Sequence, residues 1–592
     1  MDTLKASSSD NIPKVRASFA KGLFHGRIEA EQLAPFEETT SEDILRMTLD
    51  TIEKFGKTVD VDQIEKEGAI PLSVRKDLAE MGLFGLVIPE EYGGFGFGTL
   101  AYIEALSALS MIDTSMTAMI GAHQSIGLKA LLMFGNEDQK QKYLPLLATG
   151  EKIAAFALTE PGAGSDVRSM KTQAELSEDK SHYRLNGEKI WITNGGIASF
   201  FTVFARTTHV QEDGTQKERV TCFIVDREMD GLSTGPEEKK MGLLGSSTTT
   251  VNFDQVKVPV DNVIGIPGEG FKIAMAVLNN GRIGLAGACA FGSKKLIQQA
   301  MEHATQRRQF GKTLSEFGII KSKFSLMLSE TYAAESLARY TAQLMDSGAS
   351  DYGIETAICK VFSTEAEWRT VNECLQIAGG TGYMKEYGYE KTLRDSRIFT
   401  IWEGANEVLR LFIGLSGLQG PGEQLKEVSR ALKEPLKDVL FSIGVISDFG
   451  VRWIQRKVKH SKKFEGVHTS LETYSRSYER LVLDFSGACE HLLRSYGKDI
   501  LNQQWQVKRV ADITVDLFAI AVTFARASQR AESLTPERAD HELSLAKLFF
   551  KNARRRVRSN LRRIHINEDP LEERIADEFF QSQGFAEKGY FN

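Results

Sequence analysis

The chain has 592 residues, with 73 Lys and Arg against 79 Asp and Glu, a formal net charge of −6 and 42% hydrophobic residues. This composition excludes a disordered chain, a collagen-like repeat and a disulfide scaffold, and the length predicts roughly four domain-sized units. The charge is divided unevenly, because the residues up to Gly420 carry −11 and the residues after it carry +5. The acidic balance argues against non-specific nucleic-acid binding, whereas the basic C-terminal region suits a lipid surface or an acidic partner.

The cysteines stand far apart, with no C-x-x-C pair and no histidine at metal-ligand spacing beside them. They are Cys222, Cys289, Cys359, Cys374 and Cys489. We therefore expect reduced core residues of an intracellular protein, and no metal site. The polar start of the chain lacks the apolar region of a secretory signal. No stretch of sequence reaches the ~18 uncharged apolar residues that a membrane-spanning helix needs.

Residues 1–40 are a polar leader, and helical periodicity begins after it. From 41 to 147, apolar residues recur at the spacing of an amphipathic helix, with interruptions at Pro89 and at the glycine-rich turn 93–96. This pattern predicts an N-terminal helical domain over 41–153.

A β pattern replaces the helical one near Ala154. Residues 183–185 and 188–192 alternate in polarity on either side of Asn186-Gly187, a dipeptide that favours a tight hairpin turn. Further β-branched and aromatic runs lie at 201–205, 219–225 and 248–253. Together these runs predict a middle β-domain over 154–266.

The helical period returns at Phe271 and persists to Leu415, which predicts a helical catalytic domain over 267–418. A break rich in Gly at 417–422 then separates a C-terminal helical extension over 419–592. Because strands and helices do not alternate, a Rossmann domain is not expected. We predict a mainly α protein with a central β-domain, in α-β-α order, followed by a C-terminal helical domain.

A glycine-rich segment at 156–166 marks the entry to the β-domain. Gly162 and Gly164 allow the backbone to approach a ligand closely, and Thr159, Ser165 and Asp166 supply hydroxyl and carboxylate groups. The alternative is an ordinary Gly-Ser loop with no ligand.

A second segment, 189–196, reads as a strand that carries an indole and a hydroxyl. Alternation places Trp191 and Thr193 on one face, where they can bound an aromatic ring and hydrogen-bond its heteroatom. The alternative is a tryptophan buried in a sheet core.

A third segment, 306–312, combines two arginines with an aromatic residue. Guanidinium groups such as that of Arg307 suit bidentate recognition of phosphate, and Phe310 can cover a base. The alternative is the solvated end of a helix.

A fourth segment places Glu403 between the apolar pair Ile401 and Trp402 and the following Gly404. A carboxylate that is held against apolar groups has a raised pKa, which favours a role as a general base. The alternative is an acidic residue that begins a helix, where the helix dipole favours it.

Together, in this order, these segments resemble the acyl-CoA dehydrogenase family over nearly the whole chain. The motifs that carry the resemblance are A-L-T-E-P-G-A-G-S-D at 157–166, W-I-T-N-G at 191–195, R-x-x-F-G at 307–311, Q-I-x-G-G-x-G at 376–382 and E-G at 403–404. Within the family, the C-terminal extension and N-N-G-R-I-G at 279–284 are most similar to the very-long-chain subgroup.

The resemblance implies FAD-dependent oxidation of a fatty acyl-CoA between its α and β carbons by a homodimer that passes electrons to electron-transfer flavoprotein. Glu403 matches the catalytic base that takes the α-proton, and Gly404 matches the residue that lets the substrate approach. The negative charge that develops on the thioester oxygen needs hydrogen-bond donors. In the family these are a flavin ribityl hydroxyl and the backbone N–H of the base.

The resemblance also assigns binding residues by position. Matches to flavin-ring contacts are Leu158, Thr159, Trp191 and Thr193. Matches to residues that hold the FAD diphosphate and adenosine across a subunit interface are Arg307, Phe310, Gln376 and Gly380. Matches to residues that contact the CoA portion are Ser165, Asn279 and Arg282.

Two positions depart from the family pattern. Ala405 stands where many relatives have Thr, and Glu407 where Gln or Asp is common; both changes are expected to lower flavin affinity.

The helix that is expected to close the acyl pocket carries small residues. They leave room for a long acyl chain, although they equally allow close helix packing. These residues are Ala118, Gly121 and Ala122.

The C-terminal region carries an apolar run followed by six basic residues within 452–463. We expect peripheral contact of 439–463 with an anionic membrane, the alternative being a packed helix followed by a solvated basic loop. Alternatives for the whole protein are an acyl-CoA oxidase that uses oxygen and an assembly or scaffold protein on the same fold. The expected location is cytoplasmic in a bacterium and mitochondrial in a eukaryote.

Overall fold

The computed structural model describes residues 18–33, 36, 43–211, 213–433 and 464–582. These residues form two compact units. The first unit holds the described residues within 35–408, and the second joins 18–34 to 409–592.

The chain before the sheet is helical, in α1 (Phe19–Phe24), α2 (Asp43–Gly56), α3 (Val61–Glu67), α4 (Leu72–Glu80), α5 (Thr99–Ser110), α6 (Thr114–Gly121), α7 (Lys129–Phe134) and α8 (Glu137–Ala148). Side-chain caps fix several of the helix starts. Asp113 accepts a hydrogen bond from the N–H of Met116 at the start of α6, and Asn136 and Gln139 form a capping box on α8. A π-helical segment, Ala122–Gly127, follows α6 directly.

The strands of the central sheet are β1 (Ala154–Ala157), β2 (Gln173–Leu176), β3 (His182–Thr193), β4 (Phe200–Val210), β5 (Gln216–Asp226), β6 (Leu232–Thr234), β7 (Thr248–Pro259) and β8 (Val263–Ile264). They form one eight-stranded sheet in the order β6-β7-β3-β2-β4-β5-β8, with β1 paired in parallel to β4. Alternate residues of β4 serve two cores. Phe200 and Phe204 pack with apolar residues of α7, of α8 and of the long helix that follows the sheet (Gly270–Gln306). Phe201 and Val203, on the opposite face of β4, pack with residues of the other strands.

The hairpin turn predicted at Asn186-Gly187 is wrong, because β3 runs straight through this dipeptide. Strand β3 is paired on one side with β2 and on the other with β7, and a register shift against β7 falls at Leu185/Gly187. Gly187 has φ 145°, and a Cβ there would lie 2.5 Å from Oγ1 of Thr172. The glycine therefore serves a bulge and a close chain approach rather than a turn.

A buried ion pair joins the entry loop of the sheet to β3. Nζ of Lys189 donates to Oε1 of Glu160 at 2.8 Å and to the carbonyl of Leu158 at 3.1 Å, and both charged side chains are at least 95% buried. Glu160 also accepts from the N–H groups of Lys171 and Thr172. This network fixes the segment 158–160 beside the middle of β3.

We expect Lys189→Met to destabilise the protein by about 3 kcal/mol, because it leaves the Glu160 carboxylate buried without its counter-ion. Thermal unfolding of the purified protein measures the effect. Lys217→Met, which removes an exposed lysine from β5 of the same sheet, is the control and should unfold at the parental temperature. Equal unfolding temperatures for the two variants would contradict the expectation.

Helices return after the sheet as α9 (Gly270–Gln306), α10 (Gly318–Asp346), α11 (Gly353–Ala378), α12 (Gly380–Tyr383), α13 (Tyr389–Ser396) and α14 (Asn406–Lys433). A two-stranded hairpin, β9 (Arg308–Gln309) with β10 (Lys312–Thr313), follows α9. The last turns of α9 and α11 share one apolar core, in which Ala300 and Ala304 pack with Ile377 and Ala378. The two helices therefore end at the same end of the bundle.

The second unit contains α1, the later part of α14, α15 (Glu472–Tyr496), α16 (Gln504–Ser533), α17 (Pro536–His565) and α18 (Asp569–Gln581). Phe19 and Phe24 of α1, from the segment assigned to a leader, pack against Phe518 and Phe485 of this unit. The predicted domain boundaries remain predictions. The order of helices, sheet and helices, with a helical C-terminal region, confirms the predicted fold class.

The segment 439–463, with its basic cluster, lies outside the described residues, so its membrane contact stays a prediction. Within the described ranges, no helix is long and apolar enough to cross a membrane. The cysteines are all free thiols and all buried, which confirms the prediction of reduced core residues.

Candidate active site

A cavity of about 430 Å³ lies in the first unit between α5, α6, the π-helical segment and α9. This volume is within the range of roughly 300–1,000 Å³ that is usual for small-molecule sites. Both Glu403 and Thr193 line it. The three small residues expected to border the acyl pocket, Ala118, Gly121 and Ala122, line it as well.

One face of α9 supplies a long wall of this cavity. The lining residues Gly281, Gly284, Ala288 and Gly292 are spaced by three or four positions, so they share one face of the helix. Leu106 of α5 faces the same space. Between Gly281 and Gly292, this face of α9 is therefore apolar and made of small residues.

Glu403, which lines the cavity, sits in a strained turn. Its φ is 55°, and Gly404 follows with φ 95°. A non-glycine residue in this left-handed region costs roughly 1–3 kcal/mol, and such residues cluster at active sites. Oε2 of Glu403 is buried, and it has no hydrogen-bond partner within the part of the chain that the structure describes.

Gly281 makes the space that the Glu403 carboxyl occupies. A Cβ at position 281 would lie 2.6 Å from Oε2 of Glu403 and 2.9 Å from Cγ2 of Ile126. Any side chain at this position would displace the carboxyl group, so the position of Glu403 depends on a glycine in α9.

Two buried cations hold the backbone of the Glu403 turn. Nε of Arg282 donates to the carbonyl of Glu403 at 3.2 Å, and Nζ of Lys360 donates to the carbonyl of Gly404 at 2.9 Å. Lys360 also donates to Oδ1 of Asn406 at 2.7 Å. Across the described chain, the N–H of Glu403 makes no hydrogen bond to another residue. It is therefore available to a ligand.

Burial raises the pKa of Glu403 to about 7, although the charges of Arg282 and Lys360 lower it. Burial also lowers the pKa of Lys360 to about 8 and that of Arg282 to about 10. A carboxyl group with a pKa near neutrality, facing an apolar cavity, is suited to accept a proton from a bound molecule.

We expect the rate of any proton abstraction by Glu403 to rise with pH through about 7, because only the ionised carboxylate accepts a proton. Below that pKa, kcat/KM should fall about tenfold per pH unit. Values of kcat/KM recorded across neutral pH measure the midpoint, because they report the pKa of the free protein. A profile that is flat through this range would contradict the assignment.

The four predicted flavin-ring residues lie along the entry loop and β3. Leu158 is buried, Thr159 and Thr193 are half-buried, and the N–H of Ile190 donates to the Thr159 carbonyl at 3.0 Å. Trp191 is 63% exposed, with φ 56° in an irregularity between Lys189 and Ile192. The alternative of a tryptophan in the sheet core is therefore wrong.

The four residues predicted to hold the diphosphate and adenosine lie together at another place. Arg307 and Phe310 follow the end of α9, and Gln376 and Gly380 lie at the end of α11; all four are exposed. Phe310, 93% exposed, stands at the turn of the β9–β10 hairpin. Roughly 39 Å of helix separates Arg307 from Gly281 beside the base.

The residues predicted to contact CoA are divided in their surroundings. Ser165 is exposed in the glycine-rich entry loop. Asn279 is half-buried, and its Oδ1 accepts from Nη1 of Arg282 at 2.8 Å. Asn279 thus positions Arg282, which holds the Glu403 turn. The described residues contain no group of His, Cys, Asp and Glu side chains that could bind a metal ion.

Family models match the chain in four consecutive stretches. They are the N-terminal domain (42–151), the middle domain (155–256) and the C-terminal domain (268–418) of acyl-CoA dehydrogenase, and the ACAD9/ACADV C-terminal domain (469–585). A very long-chain specific acyl-CoA dehydrogenase, mitochondrial, of Bos taurus is 39% identical over 97% of this chain and 88% of its own length.

The chain belongs to the acyl-CoA dehydrogenase family.

Solved structures agree with this membership. An acyl-CoA dehydrogenase of Bacillus anthracis, complexed with FAD, superposes with a TM-score of 0.80 and 31% identity over 95% of each chain. A chain from a study of the electron transferring flavoprotein of Acidaminococcus fermentans has a TM-score of 0.60 and 33% identity, over 65% of this chain and all of that one. The resemblance predicted from the motifs is confirmed.

Sequence reasoning on this acyl-CoA dehydrogenase missed two residues of the Glu403 site. Gly281 falls within the quoted N-N-G-R-I-G motif, but nothing in the sequence shows that it faces Glu403. Lys360 is a lone lysine between apolar neighbours, which is a signal for a buried, paired charge. Of the two departures from the family pattern, Ala405 is half-buried beside the Glu403 turn and Glu407 is exposed.

Proposed function

We propose that this protein is an FAD-dependent dehydrogenase of long or very-long-chain fatty acyl-CoA thioesters, which introduces a double bond between the α and β carbons. The observation that carries the proposal is that Glu403 lines the cavity and that its Oε2 is buried without a hydrogen-bond partner among the described residues. The cavity suits a hydrocarbon chain, and the carboxyl group suits removal of a weakly acidic proton beside a thioester.

Glu403 acts as the general base that takes the α-proton of the bound thioester. Its pKa near 7 matches this task at neutral pH, because a base of lower pKa would be a weaker acceptor. The N–H of Glu403, which has no partner in the described chain, donates to the thioester oxygen as negative charge develops there. Gly404 keeps the turn narrow enough for the substrate to approach.

The residues around the base fit the flavin ring of FAD. Thr193 lines the cavity of Glu403, and Trp191, two residues earlier in β3, has an exposed indole and a positive φ. Leu158 and Thr159 are fixed beside β3, and a Cβ at Gly162 or Gly164 would meet nothing within 4 Å. When bound, FAD supplies the acceptor for the hydride that leaves the β carbon.

The remaining cofactor residues fit the diphosphate and adenosine of a second flavin. Arg307 offers a guanidinium group, Phe310 an exposed ring, and Gly379 and Gly380 a backbone with open space around it. Because these groups stand about 39 Å along α9 from the base, one chain does not bring both sets to a single FAD. We therefore propose a homodimer in which each flavin is held by both chains.

The substrate, the electron acceptor and the location complete the proposal. Ser165 lies exposed in the entry loop, and Asn279 and Arg282 lie on α9 beside the Glu403 turn. These three residues would contact the CoA portion. Electron-transfer flavoprotein is the proposed acceptor, since this fold recurs in a chain studied with such a flavoprotein. The bovine relative is named mitochondrial, and we propose a mitochondrial location in a eukaryote and a cytoplasmic one in a bacterium.

Anaerobic titration of the purified yellow protein with acyl-CoAs of increasing length tests the proposal. Long-chain acyl-CoA should bleach the flavin absorbance, and electron-transfer flavoprotein should restore it. Fast recovery in air with peroxide formation would instead show an acyl-CoA oxidase. A colourless protein that stays inactive with added FAD would favour an assembly or scaffold role, which the match to the ACAD9/ACADV domain makes the second candidate.

A further inference from the structure

The cavity that Glu403 lines is also lined by a second glutamate, Glu367 on α11. Glu367 is 92% buried, and its Oε2 has no hydrogen-bond partner among the described residues. A buried polar atom without a partner is costly, so native structures usually satisfy it with water or a ligand. One wall of the cavity, from Gly281 to Gly292 on α9, is apolar and made of small residues.

The distance between the two carboxyl groups follows from α9. A Cβ at Gly281 would lie 2.6 Å from Oε2 of Glu403, and a Cβ at Gly292 would lie 4.0 Å from Oε1 of Glu367. These glycines are three turns apart on one face, so roughly 16 Å of helix separates them. An extended hydrocarbon advances about 1.25 Å per carbon–carbon bond, so about 13 bonds span this distance.

Several other polar groups that line the cavity already have partners. Nζ of Lys391 donates to Oδ2 of Asp113 at 3.1 Å and to Oδ2 of Asp395 at 2.7 Å. Oγ of Ser110 donates to the Ser107 carbonyl at 2.7 Å. Glu367 also lines the cavity, but its Oε2 has no hydrogen-bond partner among the described residues.

Glu367 is uncharged over much of the neutral range. Burial raises its pKa to about 8, and a hydrogen bond with the Cys289 thiol partly opposes this shift. A protonated carboxyl group both donates and accepts hydrogen bonds. It therefore matches a neutral oxygen, such as a hydroxyl, rather than a second charge.

We propose that Glu367 is a specificity-determining residue that hydrogen-bonds a hydroxyl oxygen on the distal part of the acyl chain, so that the cavity accepts hydroxylated long-chain acyl-CoAs. The inference rests on the proposed acyl-CoA function. It defines a substrate class by length as well as chemistry, because the oxygen reaches Glu367 only when about 13 bonds separate it from the α carbon.

Paired substrates test the inference on the holoenzyme. The ratio of kcat/KM for ω-hydroxymyristoyl-CoA to that for myristoyl-CoA is measured in the parent, Glu367→Leu and Glu367→Gln. We expect Glu367→Leu to lower the ratio about tenfold and Glu367→Gln to keep it within about threefold, since the amide still donates and accepts. For ω-hydroxyoctanoyl-CoA against octanoyl-CoA the ratio should be the same in all three proteins, because the shorter chain does not reach.

Binding without turnover gives an independent readout. In a Glu403→Gln background, adding Glu367→Leu should raise the Kd of ω-hydroxymyristoyl-CoA about tenfold relative to that of myristoyl-CoA. Thermal unfolding should show that Glu367→Leu is at least as stable as its parent, because it removes a buried atom without a partner. If the ratio of kcat/KM for ω-hydroxymyristoyl-CoA to that for myristoyl-CoA is unchanged in Glu367→Leu, the inference about Glu367 is overturned and the proposed function stands. If the parent oxidises no acyl-CoA at all, the proposed function is overturned.

Discussion

Glu403→Gln should leave a folded protein that binds FAD and acyl-CoA but reduces its flavin at least about 10³-fold more slowly than the parent. Glutamine has nearly the same shape and keeps the backbone N–H that would bind the thioester oxygen. It lacks the carboxylate that accepts the α-proton. The expected loss is therefore in the chemical step and not in substrate binding.

Rapid-mixing absorbance spectroscopy under anaerobic conditions measures the rate of flavin bleaching directly. Glu178→Gln, which removes an exposed glutamate near the end of β2, is the matched control and should bleach at the parental rate. If Glu403→Gln bleached within tenfold of the parent, Glu403 would not be the base.

Gly281→Ala should reduce the rate of flavin bleaching about 10²-fold while the protein remains folded. The added Cβ would lie 2.6 Å from Oε2 of Glu403, so the carboxyl group must move by a few tenths of an ångström or more. Misplacement of a catalytic group by about 1 Å can cost this factor. The added Cβ would also lie 2.9 Å from Cγ2 of Ile126, which must shift as well, so a loss of stability should accompany the loss of rate.

Gly487→Ala is the control for this substitution. It also replaces a glycine inside a helix, but its Cβ would have no atom within 4 Å. It should keep the parental rate and unfold at an equal or slightly higher temperature. A Gly281→Ala variant that kept the parental rate would show that the Glu403 carboxyl need not occupy the position seen in the structure.

Hydrophobic periodicity was sufficient to predict the order of helices, sheet and helices, because each element buries one face and its sequence shows the matching repeat. It was not sufficient at Asn186-Gly187, where the local preference for a turn is outweighed by pairing of β3 with strands on both sides. Likewise, the apolar residues of α1 gave no indication of their partners in the second unit, since contacts between distant segments leave no local pattern.

The candidate site shows the same division between local and distant information. Glu403 could be predicted, because its apolar neighbours and the following glycine are adjacent in sequence. The dependence of that carboxyl on Gly281 could not, because the contact joins two elements that are far apart in the chain. Glu367 also gave no signal, since one acidic residue in a helix is ordinary until its surroundings are known.

Arg307 and the Glu403 site lie at different places along α9, and this separation has a genetic consequence. In a dimer whose flavins are shared, a chain without Arg307 still contributes an intact Glu403, and a chain without Glu403 still contributes an intact Arg307. A mixed dimer of the two damaged chains would contain one complete site and one doubly defective site. Two alleles that are each inactive alone would then complement one another in the same cell, restoring activity from one site in every mixed dimer.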